Sequence, residues 1–182
     1  MITEQVNWIT NYRYEIKNQI DEVIFSTFSK LHPNAEAHIY GSVFTGLMLP
    51  ESDMDIVVIG INDYGIRENQ TKNISLLYDN IVKHFSTNLL VKSSKILYTQ
   101  VPILKLTFSL TELFNESVKL GMKNLEEIDF NSINPWLKEL AVDISIWDSY
   151  DSFEHQGIKA AYFVKNWIDE YPVLRSVWLI LK

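Results

Sequence analysis

Between Gly41 and Val58 the chain reads GSVFTGLMLPESDMDIVV, and this stretch limits the folds open to it more than any other. Residues 54–59 form an apolar run rich in branched side chains, the pattern of a central strand. Two acids stand at its head. Side chains two apart on a strand share a face, so Asp53 and Asp55 project together while Met54 and Ile56 pack on the other side. Paired carboxylates suit Mg²⁺, with Mn²⁺ as the alternative ion, because such cations prefer hard oxygen ligands and commonly take one or two protein carboxylates together with substrate phosphates.

A second ion needs a third acid, and AVDISI supplies it. In that strand-like run Val142, Ile144 and Ile146 face one way, leaving Asp143 with Ser145 on the opposite face. An aspartate in an apolar strand is costly to bury unless it is paired or bound to metal. Upstream, Ser42 stands eleven positions before Asp53 and follows Gly41 at the end of another short strand. A glycine lets backbone approach a phosphate closely, and the Ser42 hydroxyl with nearby amides can donate to phosphate oxygens.

The order of elements around these residues predicts an α+β fold, a mixed sheet flanked by helices. Apolar residues at helical spacing predict an amphipathic helix over 3–30, stopped by Pro33-Asn34, and a second one through Ile74, Leu77, Ile81 and Phe85. Strands are expected at 35–40, 54–59, 95–98, 101–108 and 140–146, with one or two helical turns over 43–48. A two-residue link, Thr99-Gln100, suggests a hairpin although it lacks the usual glycine. Residues 111–136 are more polar and read as a surface insertion.

From Ser152 the pattern turns helical, with Ile158, Ala161, Phe163, Val164 and Trp167 expected on one apolar face and Tyr162, Phe163 and Trp167 as interdomain core. Tyr171-Pro172 breaks this helix before a second one over 173–181. A domain boundary is placed near 148–152, dividing a palm over 1–150 from the beginning of an incomplete helical domain over 151–182.

Charge and composition narrow the function classes. A net charge of −7 argues against a chain that coats nucleic acid through bulk positive charge, though an enzyme touching only a 3′ end needs no more than a local basic groove. The absence of cysteine removes disulfides and thiolate zinc sites, and His32, His38, His84 and His155 lack a ligand-like spacing. His155 is expected to line the cleft mouth or face water. There is neither a secretory signal nor a membrane-spanning run, which leads us to expect an intracellular protein, nuclear or cytoplasmic, that is neither secreted nor in contact with a membrane.

Taken in order, Gly41–Val58, VPILKL, VDISI, HQGIKAAYFVKNW and PVLRSVWLILK resemble the DNA polymerase β-like nucleotidyltransferases, specifically the noncanonical poly(A) polymerases of the Trf type and their terminal uridylyltransferase relatives. The resemblance implies a palm in which Asp53 and Asp55 hold both metal ions and Asp143 holds the one that activates the RNA 3′-hydroxyl. It implies that Gly41, Ser42 and Ser52 serve the nucleotide triphosphate and that Lys182 matches a triphosphate-binding lysine. The family's Asn-Gly-Ile, whose Asn helps bind the nucleotide, reads Gln156-Gly157-Ile158 here, an amide on an arm one methylene longer. The implied reaction adds AMP from ATP to an RNA 3′ end, with UTP as the alternative donor and an inactive scaffold as the non-enzymatic alternative. An RNA-binding or helicase protein partner is implied as well.

Overall fold

Ile9, Tyr12, Ile16, Ile20, Ile24 and Phe28 recur every three or four residues and are all buried, which makes helix α1 (Ile2–Phe28) one long scaffold element. The structure, a computed structural model, describes residues 2–61, 67–86, 91–99, 101–112, 138–147 and 152–181. After α1 come β1 (Glu36–Tyr40), a short helix α2 (Gly41–Thr45), β2 (Met54–Ile59) and α3 (Arg67–Ser86). Strands β3 (Val91–Leu97), β4 (Ile103–Ser109) and β5 (Glu139–Ile146) follow, then α4 (Gln156–Glu170) and α5 (Val173–Leu181). Among the described residues no helix is long and apolar enough to cross a membrane.

The strands form a single five-stranded sheet in the order β1-β2-β5-β4-β3. Only β2 and β5 run parallel; the other neighbours are antiparallel. Period-two alternation then decides which side chains meet which helices. Met54, Ile56 and Val58 join Val142, Ile144 and Ile146 and the apolar residues of α1 and α3 in one core. Fully burying such a side chain contributes roughly 1.5–3 kcal/mol, so this face holds the sheet on its helices. On the opposite face Val57 and Ile59 meet Ile158 of α4, with Tyr40 and Trp147 packed around them.

Several expectations need correction. The helical turns expected at 43–48 start two residues earlier, at Gly41, and stop at Gly46, whose φ of 73° closes the helix in the left-handed region that favours glycine. The hairpin link is longer than two residues, because β3 ends at Leu97 and its partner across the turn is Ile103. Pro102 lacks the N–H a ladder needs, so the strand begins after it. Of the insertion expected at 111–136 only Thr111 and Glu112 lie among the described residues, and most of the boundary at 148–152 also falls outside them.

The apolar face expected of α4 mixes two sides of the helix. Ile158 and Ala161 are buried, and Tyr162 packs on Phe44 of α2 with ring centroids 4.7 Å apart. Tyr162, Phe163 and Trp167, all three expected as core, are nevertheless 41%, 60% and 54% exposed. At 3.6 residues per turn, Phe163 lies about 140° round the helix from Ile158, and Trp167 about 180°.

Candidate active site

Strand register assembles the site. Tyr40 is paired with Asp55, Asp55 with Asp143, Asp143 with Lys105, and Lys105 with Lys95, so one row crosses all five strands. Partners in register share a face of the sheet, and this row lies on the face away from α1 and α3. Asp55 and Asp143 therefore sit side by side on neighbouring parallel strands, spaced at about 4.7–4.9 Å. Asp53, two residues before Asp55 and exposed, stands at the entrance to the same face.

Electrostatics links the three acids. Lys105 Nζ donates to Asp143 Oδ2 at 2.5 Å. That bond raises the Lys105 pKa above its ordinary value; burial opposes it, and the charges of Asp143, Asp53 and Asp55 add to the rise. One ammonium thus feels all three carboxylates. The Tyr40 hydroxyl is pushed up first by burial and then by Asp55, while a hydrogen bond with Ser145 pulls it down. Sequence reasoning missed Lys105, whose only local signal was a lysine alternating with buried Leu104 and Leu106.

Gly41 is required where it stands. Its φ is +66°, and a Cβ added there would collide with the Asp55 carboxylate, chiefly with Oδ2. The backbone entering α2 consequently passes directly over one of the candidate ligands, an approach to Asp55 that differs from the approach to a phosphate expected of Gly41 from the sequence. Ser42 follows it on α2, half-exposed, and its carbonyl accepts from Leu47 N–H at 3.1 Å. Ser52 Oγ accepts from Leu49 N–H at 2.8 Å, so this hydroxyl ties the loop before Asp53.

At the far side of Tyr40, α4 begins. His155 caps it, Nδ1 accepting from Ile158 N–H at 3.3 Å. The ring also lies edge-on to Tyr40 at 5.0 Å and to Trp147 at 5.3 Å, so of the two expected positions, the cleft mouth or water, His155 is half-buried beside the acid row. Gly157 is needed for packing, since a Cβ there would come within 2.7 Å of Tyr40 Cε2. Gln156 is the exposed first residue of the helix. Lys182 lies outside the described residues.

The donors offered to a cation are carboxylate oxygens without thiolate or imidazole, a set that fits Mg²⁺ or Mn²⁺. Among the described residues no three acidic or histidine side chains are gathered closely enough to enclose an ion, and Asp143 is engaged by Lys105. All three aspartates fit as ligands by type, Asp55 and Asp143 also by shared face and Asp53 from its place just before β2, with Lys105 as the cation a metal must outbid at Asp143.

Known proteins share this fold. The profile described as "Poly(A) RNA polymerase, mitochondrial-like, central palm domain" matches residues 3–129, a span that includes Gly41, Ser42, Ser52, Asp53 and Asp55 and stops before Asp143. Poly(A) RNA polymerase protein 2 of Saccharomyces cerevisiae (strain ATCC 204508 / S288c) is 28% identical over 169 residues, covering 92% of this chain and 22% of the relative. The chain thus spans about a fifth of the length of that relative. Among solved structures, the polymerase core of TRAMP, an RNA surveillance complex, superposes with a TM-score of 0.51 at 25% identity, covering 99% of this chain and 44% of that one. The Cid1 poly(U) polymerase shares the fold at a TM-score of 0.52 and 17% identity, covering 88% of this chain and 36% of that one. With 3–129 matched by the profile and the mixed sheet in place, the chain belongs to the mitochondrial-like poly(A) RNA polymerase family, whose central palm domain it carries.

Proposed function

We propose that this palm catalyses template-independent addition of a nucleoside monophosphate, AMP from ATP, to an RNA 3′-hydroxyl with release of pyrophosphate. The observation that carries the proposal is the register of Asp55 against Asp143, with Gly41 closing over Asp55 and Asp53 beside it. Divalent ions held by Asp53, Asp55 and Asp143 would neutralise phosphate charge and acidify the attacking hydroxyl. The protein's own share is positioning, which is the larger part of catalysis in phosphoryl transfer.

Each residue has a share in that positioning. Asp53 and Asp55 orient the triphosphate through shared cation binding, and Asp143 faces the incoming hydroxyl. Ser42 donates to phosphate, and the Gly41 backbone clears the approach. Ser52 holds the loop that presents Asp53 through its bond to Leu49 N–H. Gln156 and Gly157 open α4 beside Tyr40, at the start of what we take as a helical second domain over 151–182. The family profile and the yeast relative, both described as poly(A) polymerases, favour ATP over UTP as donor. The TRAMP core is the polymerase core of an RNA surveillance complex, which supports a protein partner here, and we propose an RNA-binding or helicase protein for that place.

The test is nucleotide addition to an RNA oligonucleotide with Mg²⁺, each of the four ribonucleotides in turn, in wild type, Asp53→Ala and Asp55→Ala. ATP should be incorporated first, and both variants should lose addition while their melting temperature holds or rises slightly as like charges are removed. Wild-type activity in either variant removes the metal-site reading; preference for UTP replaces adenylyl by uridylyl transfer.

A further inference from the structure

Among the described residues one charged side chain is wholly buried, away from the acid row. Arg13 of α1 has 0% of its surface exposed, and burial lowers its pKa to about 10, with Asp53 and then Glu51 opposing the drop. It remains a cation at neutral pH. Its hydrogen bonds nevertheless go to neutral acceptors: Nη2 donates to the carbonyls of Leu49 at 3.3 Å, Pro50 at 3.0 Å and Ser52 at 2.5 Å, and Nη1 to Met48 Sδ at 3.3 Å. Burying a guanidinium without a carboxylate bonded to it is costly, so the interaction calls for a reason beyond filling space.

The acceptors supply that reason. All belong to the five residues that deliver the chain to Asp53, and the Ser52 carbonyl is half of the peptide that joins Ser52 to Asp53. A peptide is planar, so fixing that oxygen fixes the plane from which Asp53 departs. Ser52 adds a closure of its own, its N–H donating to Leu49 O at 3.0 Å and its Oγ accepting from Leu49 N–H at 2.8 Å.

We propose that Arg13 is the positioning residue of the candidate metal site: reaching from α1, it gathers the 48–52 loop and sets the place and direction of the Asp53 carboxylate. The cation also offsets the repulsion among clustered acids without occupying a ligand position. This rests on the reading of Asp53 as a metal ligand and extends it to a residue outside the palm's acidic face. Residues that orient metal ligands typically contribute about 10–100-fold in metal affinity.

The experiment titrates Mn²⁺ alone into wild type, Arg13→Met, Arg13→Lys and Asp53→Asn, followed by electron paramagnetic resonance, and measures amide exchange at Leu49, Ser52 and Asp53. Arg13→Met should weaken Mn²⁺ binding about 10–100-fold and speed loop exchange, while amides of β2 and β5 keep their protection. Arg13→Lys keeps a buried cation but one nitrogen, and should fall between the two; it is the variant read if Arg13→Met does not fold. Wild-type Mn²⁺ affinity in the folded Arg13 variants overturns the proposal, and faster loop exchange with unchanged affinity overturns it equally, leaving Arg13 a purely structural plug. Undiminished binding by Asp53→Asn is a distinct result: it removes the metal-site reading, and the role of Arg13 falls with it.

Discussion

Two glycines with nearly the same φ allow strain and site geometry to be separated. Gly41 has φ +66° and Gly46 has φ +73°, so alanine at either position enters the left-handed region at about 1–2 kcal/mol. The stiffer unfolded chain returns about 0.4–1 kcal/mol, leaving a net loss near 1 kcal/mol for each. For a chain of this size that corresponds to a melting temperature lower by roughly 2–4 °C. The surroundings differ. The nearest atom to a Cβ at Gly46 is Arg175 Nη2 at 3.8 Å, an ordinary contact, whereas a Cβ at Gly41 overlaps Asp55 Oδ2 and comes within 3.2 Å of its Cγ. The carboxylate is the movable partner, so the overlap is relieved by swinging Asp55 away. A displacement of the order of 1 Å at a reacting centre costs about 100-fold in rate. Gly41→Ala should therefore lose about two orders of magnitude in nucleotide addition, and Gly46→Ala little, at matching thermal shifts. Equal activity in the two variants would refute the claim that Gly41 is there to make room for Asp55.

Asp143→Asn should lower turnover far more than nucleotide affinity, measured by single-turnover addition and equilibrium binding of ATP with Mg²⁺; an equal fall in both would place Asp143 on the nucleotide-bound ion. His155 has a pKa lowered by burial, so its contribution to the folded state is complete above its ordinary value near 6.5 and is lost as pH falls through the lowered value. Protonation at Nδ1 also removes the acceptor for Ile158 N–H, so the protection of that amide, its exchange rate set against the intrinsic rate at the same pH, should fall on acidification from pH 7 to about pH 5, and unchanged protection over that window would exclude the cap.

Much of the fold was legible because alternation and helical spacing are local properties. Met54 and Ile56 against Asp55, and Val142 and Ile144 against Asp143, could be assigned to opposite faces from period two alone. What local pattern does not contain is register. That Asp55 lies opposite Asp143, and Asp143 opposite Lys105, follows from pairing between segments far apart in the chain, so Lys105 looked like any lysine in an alternating strand. Arg13 was hidden for a related reason: a basic residue on a helix reads as a solvated one until the 48–52 loop is folded against it. Phe163 and Trp167 were misplaced by grouping apolar residues without following their angle around the helix, and their exposure is decided by what packs on α4.

Because β2 and β5 are neighbours in space but separated along the chain by α3, β3 and β4, the acids come together late. During synthesis, β1 and β2 leave the ribosome first and can pair as an antiparallel unit carrying Asp53 and Asp55. Asp143 cannot reach them until β5 has been made and slotted between β2 and β4, a non-local closure whose loop entropy is met before its contacts form. A nascent or partly unfolded chain therefore holds two of the three acids and no complete site. On the proposed reading, competence to transfer a nucleotide would arise in the same step that completes the sheet.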